Sequence, residues 1–267
     1  MYDLNKIKGI LNTNYIGNTI IQYEEVPSTF AKAKNIFDTC TDGSVILSEN
    51  QSMCKVRFGR LWECYPYKNI YLSILFKDEL DSYEISKFEV IVSAAVCESI
   101  NSIYNIVSKT KWPNDILINS KKISSISCQS ITRNKKDAGL IISILINVNI
   151  DEDELSEGIR EKATSIKIEL NTLNEREILI GYILNNVEKY YDELKKHGSI
   201  NNALNICYDN SAIVGEYIGA IKPGRKTVKK CNVKSINEEG LLVVVDEKGN
   251  EEILNSGEII IKYDGKT

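Results

Sequence analysis

Apolar residues recur along this chain at two periods, and the change from one to the other organises it. From Glu84 to Val107 the positions Ile85, Phe88, Ile91, Val92, Ala95, Val96 and Ile100 fall near the helical period, which predicts a helix with one buried face. Glu175 to Lys196 reads as a second long helix, and Leu4 to Leu11 as a short one. Ser28 and Thr29 cap another that runs to about Phe37, because a hydroxyl oxygen accepts from the free N–H groups of a first helical turn. Alternating or continuous apolar runs predict strands over Thr19–Tyr23, Ser44–Leu47, Asn69–Phe76, Asp115–Ile118, Ile123–Ile131 and Ala138–Val148. The last contains the nearly unbroken run Leu140 to Ile146, the mark of a central strand covered on both faces. Glu49 to Tyr67 has no period and several basic residues, so it reads as a loop.

After Cys207-Tyr208-Asp209-Asn210 the texture changes. Short β-like runs follow: Ala212–Tyr217, Thr227–Ile236, Leu241–Asp246, Glu251–Leu254 and Glu258–Lys262, with Glu247-Lys248-Gly249-Asn250 as a hairpin turn. They predict a small β-barrel. The expected organisation is an α/β domain over residues 1–208 and a barrel over 209–267.

A chain of 267 residues can bury a sizeable core, and its 43% apolar and 26% charged residues fit a globular protein. The net charge of -4 argues against a DNA-binding role. No apolar run approaches the roughly 18 residues of a membrane span, and Met1 to Lys6 lacks a signal-peptide layout, so the expected location is cytoplasmic. Seven scattered Cys without a C-x-x-C pair fit reduced thiols better than disulfides. The single His, His197, precedes Gly198 at a helix end. Its solitude excludes a His-based zinc site and argues against a Ser-His-Asp triad. Neither a P-loop nor a Rossmann glycine fingerprint occurs.

Candidate chemistry gathers around the two Trp. Lys111-Trp112-Pro113-Asn114-Asp115, followed by Lys121-Lys122, holds one; Arg57-Phe58-Gly59-Arg60-Leu61-Trp62 holds the other. Two basic clusters beside bulky anchors suit an anionic ligand such as a nucleotide phosphate. Pro113 pushes Trp112 towards extended backbone, leaving Lys111 at a strand end where its ammonium can stabilise a carboxylate or phosphate. The plain alternative is a Trp-Pro turn with a solvated lysine.

Lys111 to Asp115 resembles the Lys-Trp-Pro-Asn-Asp core of biotin protein ligases at all five positions. Other segments are similar to that family too. Glu24 to Thr29 resembles its acidic segment ending in Ser-Thr-Asn, with Phe30 in place of Asn. Glu49 to Ser52, Asn69 to Ser73, Ile146 to Asn149, Ala163 to Ser165, Arg176 and the C-terminal β-region also correspond, while the family's optional N-terminal helix-turn-helix has no counterpart. The resemblance implies a class II synthetase-like mixed sheet with flanking helices and an SH3-like barrel. It implies that biotin's carboxylate attacks the α-phosphate of ATP, with Mg²⁺, to give biotinyl-AMP, and that a lysine of a biotin carboxyl carrier protein then takes the biotinyl group. A homodimer is a further expectation. By position, Ser28, Thr29 and Gln51 would contact biotin. Arg57 and Lys111 would serve both biotin and catalysis, with Lys111 bridging carboxylate and α-phosphate. Arg57, Arg60, Trp62, Lys111 and Asn147 would hold ATP or the adenylate, since the planar fork of Arg suits phosphate.

The chain departs from the family at glycines. Cys54 and Val56 replace two in the basic loop, Ser125 one in a strand, and Ser143 and Leu145 two in the central strand. Glycine is used where a ligand lies against backbone or φ is positive, and Val at a positive φ would be strained by about 1–3 kcal/mol. Three outcomes follow: an active ligase with a rearranged pocket, a relative acting on another substrate, or a binding protein without turnover. Leu145 decides among them, since it points either into the core or into the space of the ligand ring.

Overall fold

The structure is a computed structural model describing residues 1–54, 62–77, 84–133, 136–221, 228–256 and 260–263. Seven strands form one mixed sheet: β1 (Ile20–Val26), β2 (Val45–Gln51), β3 (Ile70–Phe76), β4 (Ser108–Lys111), β5 (Asp115–Ile118), β6 (Lys121–Arg133) and β7 (Lys136–Ile146). Their order is β1-β2-β3-β7-β6-β5-β4. Only β1 and β2 pair in parallel; the remaining neighbours are antiparallel.

The apolar continuity of β3 and β7 has a simple cause: both faces of the sheet are covered. On one face Leu72, Ile74, Phe76, Ile142, Ile144 and Ile146 meet α3 (Ile85–Tyr104) and α6 (Arg176–His197) in the main core. On the other, Leu75, Ile131 and Ile141 pack against Ala33 and Phe37, on and just after α2 (Thr29–Ile36). The helix ends follow elementary capping. Ser28 accepts from the Ala31 N–H at the start of α2. Gly198, at φ 63°, closes α6 in the left-handed region, behind Lys195, Lys196 and His197, whose last-turn position suits the helix dipole.

The SH3-like C-terminal unit is a five-stranded antiparallel sheet in the order β11-β10-β9-β8-β12. Its strands are β8 (Tyr217–Ile221), β9 (Lys229–Ile236), β10 (Leu242–Asp246), β11 (Glu251–Leu254) and β12 (Ile260–Tyr263). It has a core of its own, built from Ile213, Ile218, Cys231, Val233, Leu242, Val244 and Leu254, and Trp112 enters that core from the other sheet.

Several expectations need correction. The segment from Glu49 to Gln51 is strand, not loop: β2 continues to Gln51, paired with β1, and Glu49 is fully buried against Arg176. Ala212 to Val214 lies before β8 and contributes core residues without strand pairing of its own beyond an isolated bridge at Ser211. The short elements β4, α4 (Glu157–Arg160), α5 (Ile166–Leu170) and α7 (Asn201–Asp209) carry too few apolar repeats to register as periods. The thiols are not all free. Cys54 and Cys64 form a disulfide pair with Cα atoms 6.3 Å apart, whereas Cys97, Cys128, Cys207 and Cys231 are buried and unlinked. Burial pushes the Cys97 thiol up to about 11.

Candidate functional site

The sheet face opposite α3 and α6 carries two cross-strand rows. Tyr71, Leu145 and Ser125 stand side by side on β3, β7 and β6. Ser73, Ser143 and Ser127 form the next row. The N-terminus of α2 and the end of β2 border this floor and bring Ser28, Thr29 and Gln51 together.

Their hydrogen bonds are largely turned inward. The Thr29 N–H donates to Gln51 Oε1 at 2.6 Å. Ser73 Oγ donates to Thr29 Oγ1 at 2.9 Å and lies 2.8 Å from Ser143 Oγ. The Gln51 amide points its Nε2 at Cys54 Sγ, 3.5 Å away. The serine at position 143 therefore does what glycine could not: it extends a hydroxyl chain from α2 across the floor. Leu145 resolves its own ambiguity. It packs with Cys54 and Tyr71, and with the half-buried Trp62 and Cys64, in a small cluster separate from the main core. Three residues at family-glycine positions, Cys54, Ser143 and Leu145, thus build this end of the site from side chains.

The cationic end is assembled by the turn Trp112–Asn114, which joins β4 to β5 so that Lys111 and Asp115 are cross-strand partners. Asn114 pins that turn to β6: its side-chain amide donates to the Ile126 carbonyl at 2.7 Å, and its own carbonyl accepts from the Ile126 N–H at 2.9 Å. Lys111 is half-buried, and burial lowers its pKa from the ordinary 10.5. Asp115 opposes that shift and Lys122 adds to it. Lys122 pairs with Asp115 at 2.6 Å and lies 5.3 Å from the centre of the Trp62 ring. Lys111, Lys122, Asp115 and Trp62 therefore share one neighbourhood. Among the described residues the buried Trp62 indole N–H has no hydrogen-bond partner. A partnerless donor beside two ammonium groups fits an oxygen-rich anionic ligand such as a nucleotide.

Asn147 lies just past β7, at the edge of the site, and serves as a brace. Its Oδ1 accepts from Asn69 Nδ2 and its Nδ2 donates to the Thr164 carbonyl, both at 3.1 Å. This explains the Ala163-Thr164-Ser165 segment, which pairs with Lys122 by backbone and starts α5 through the Ser165 hydroxyl. Arg57, Arg60 and Val56 lie outside the described residues. Sequence reasoning missed the Glu49–Arg176 pair, with N–O distances of 2.7 and 3.3 Å, although both residues belong to motifs it had noted. No alternation along β2 marks it, because Val45 to Glu49 are all buried; once the strand is placed, a buried charge demands a partner. It also missed the Lys122–Trp62 contact, which no spacing in the chain reveals.

Comparison with known proteins finds chains of similar sequence and fold. Residues 20–149 match the Biotin/lipoate A/B protein ligase family. The chain is 24% identical to the bifunctional ligase/repressor BirA of Bacillus spizizenii over 92% of its own length and 75% of the relative's. It is 26% identical to biotin–protein ligase 2 of Arabidopsis thaliana over 74% of this chain and 60% of that protein. The fold is similar to that of the Aquifex aeolicus biotin protein ligase solved with biotin and ATP: TM-score 0.81, 21% identity, 92% of this chain and 100% of that one. A biotin protein ligase-like protein of unknown function from Silicibacter sp. shares the fold at TM-score 0.66 and 10% identity, over 88% and 93% of the two chains. Residues 20–149, just under half of the chain, are thus similar to the biotin/lipoate A/B protein ligase family.

Proposed function

We propose that the protein is an ATP-dependent biotin protein ligase, with residues 1–208 as its catalytic unit and 209–267 as its C-terminal unit. The observation that carries this reading is the cationic end: Lys111 half-buried at the close of β4, with Lys122, Asp115 and the partnerless Trp62 indole beside it. In the first step a carboxylate oxygen of biotin bonds to the α-phosphorus of ATP and pyrophosphate leaves. Lys111 lies between the two anions, offsets their repulsion and stabilises the charge that grows on the phosphoryl oxygens. Trp62 lends its indole N–H to the nucleotide, and Arg57 and Arg60 hold phosphates. Mg²⁺ would arrive on the phosphates and supply further charge neutralisation. In the second step the amine of a carrier-protein lysine attacks the biotinyl carbonyl, loses a proton, and AMP leaves. Ser28, Thr29 and Gln51 take the ring end of biotin, and Asn147 braces the strands beneath the adenylate. The protein could act as a homodimer.

A second reading has its own observation. Leu145, Cys54 and the Ser143 hydroxyl occupy the floor where the family pattern leaves glycine, and Thr29 and Gln51 bond each other. These features favour a member that binds a different ligand or partner without biotin turnover. Pyrophosphate release from Mg-ATP, measured with and without biotin, separates the two. Biotin-dependent release supports the ligase; no release under saturating biotin sinks it in favour of the second reading.

A further inference from the structure

Trp112 does not serve the site directly. Lys111 faces the neighbourhood of Asp115 and Lys122, while the next side chain, Trp112, is 5% exposed within the core of the C-terminal sheet, among Ile213, Ile218, Val233, Leu242 and Val244. Its indole N–H donates to the Gly240 carbonyl at 2.9 Å. Gly240 is itself held. At φ 76° it ends a turn whose N–H groups at 240 and 241 bond Asn237, and a methyl group there would run into the Ser86 carbonyl of α3. Lys87 and Glu239 pair across the same seam at 2.9 Å. One residue before Lys111, Thr110 is gripped by backbone bonds to Asn210 and Ala212, both 2.8 Å, at the entry to the C-terminal sheet. Thus both neighbours of Lys111 in the chain are fixed by the C-terminal region.

We propose that the C-terminal sheet is the positioning element for Lys111, acting through the Trp112 indole and its bond to the Gly240 carbonyl. What Lys111 does rests on the adenylation reading; where it is held does not. A lysine that must meet two anions at once loses rate steeply when its strand end shifts, and Trp112 sets that strand end.

The test uses the full chain with Trp112→Ala and Trp112→Phe, and with Leu254→Ala as a variant of the same core that keeps the Trp112 indole and its Gly240 partner. Pyrophosphate release gives kcat and KM for ATP, and thermal melting gives stability. Trp112→Ala is expected to lower kcat by about a hundredfold, the cost of roughly 1 Å of misplacement, with KM for ATP little changed. Trp112→Phe, which keeps a ring in the core and loses only the N–H, recovers part of that rate and remains informative if the Ala variant fails to fold. Leu254→Ala lowers the melting temperature and keeps kcat. Retained kcat in both Trp112 variants, or equal losses of kcat in Leu254→Ala, overturns the proposal. If wild type releases no pyrophosphate, the adenylation reading fails alone, and acylation of Lys111 by a succinimidyl ester across pH then decides. In Trp112→Ala the titration midpoint of Lys111 is expected to rise towards the ordinary 10.5; an unmoved midpoint overturns the positioning role.

Discussion

The cationic and ring ends of the site sit on one sheet but are held by different means. Lys111 projects from a turn fixed by backbone bonds, by Asn114 and by a tryptophan buried in a second core. The proposed ring end is held by side chains alone: Cys54, Tyr71 and Leu145 pack together there, and Thr29, Ser73 and Ser143 share a hydroxyl chain. Changes at the first end must pass through a turn and two cores, so its chemistry is tied to the fold. Substitutions at the second end alter the cavity while leaving the main core, on the opposite face, in place.

The largest effect is expected where the ring end depends on a buried charge. Glu49 is fully buried on β2, two residues before Gln51, and is compensated by Arg176 at 2.7 Å and by the N-terminal ammonium of Met1 at 3.4 Å. Glu49→Ala should destabilise the protein by about 3–5 kcal/mol, because it leaves the guanidinium buried without its partner. Arg176 also lies 4.2 Å from the centre of the Tyr2 ring, so the damage spreads to the N-terminal segment that leads into α1 (Leu4–Ile10). Denaturant unfolding measures this directly, and a loss below 1 kcal/mol would show that the pair is not the brace of the ring end.

At the other end the expected damage is to rate and not to stability. Lys111→Ala should remove about 3–4 kcal/mol of transition-state stabilisation, the scale of losing a preorganised donor at a developing charge. Melting should hardly change, since Trp112 and Asn114 still hold the turn. Pyrophosphate release equal to wild type would refute the role of Lys111.

How far these ends were legible in the sequence follows from the same difference. Lys111 to Asp115 could be placed on a strand end because Pro113 and the flanking apolar runs constrain the backbone locally. The long helices and the central strand were legible because Ile85 to Ile100 and Leu140 to Ile146 repeat over enough residues to fix a period. The ring end was legible only as a list of misplaced residues. Whether Leu145 faces core or ligand depends on register with Tyr71 and Ser125, which are far away in the chain. The Cys54–Cys64 pair, the strand character of Glu49 and the entry of Trp112 into the C-terminal core are likewise long-range facts. Short elements such as β4 and α7 take their structure from tertiary pairing, so their own residues announce little.

Exchanging the ring end back towards glycine sharpens the comparison by a smaller amount. Leu145→Gly with Ser143→Gly should improve biotin binding by about 1–3 kcal/mol, the scale of relieving an overpacked contact. The price is stability, about 1 kcal/mol per glycine from backbone entropy, with more from the lost contacts to Cys54 and Tyr71. Calorimetric titration of wild type and double variant, with melts alongside, reads both. Tight biotin binding by wild type would show that Leu145 leaves the ring its space and would favour the active ligase.

The smallest effect is a matter of pH, and it has opposite signs for stability and rate. Burial holds the Lys111 ammonium below its ordinary pKa of 10.5, whereas the unfolded chain keeps the ordinary value. Between the two values the unfolded state binds more protons than the folded one, so stability rises with pH across that window. The burial penalty is fully present below the folded pKa and relieved above the unfolded one. On the proposed reading adenylation needs the ammonium, so its rate is expected to fall across the same window, beginning below pH 10.5. Lys111→Arg separates the two, because a guanidinium stays charged throughout. That variant should lose the alkaline limb of the rate profile, whatever its absolute activity, and lose the small rise in stability as well. An alkaline limb that persists unchanged in Lys111→Arg would assign the titration to another group and remove Lys111 from the ionising step.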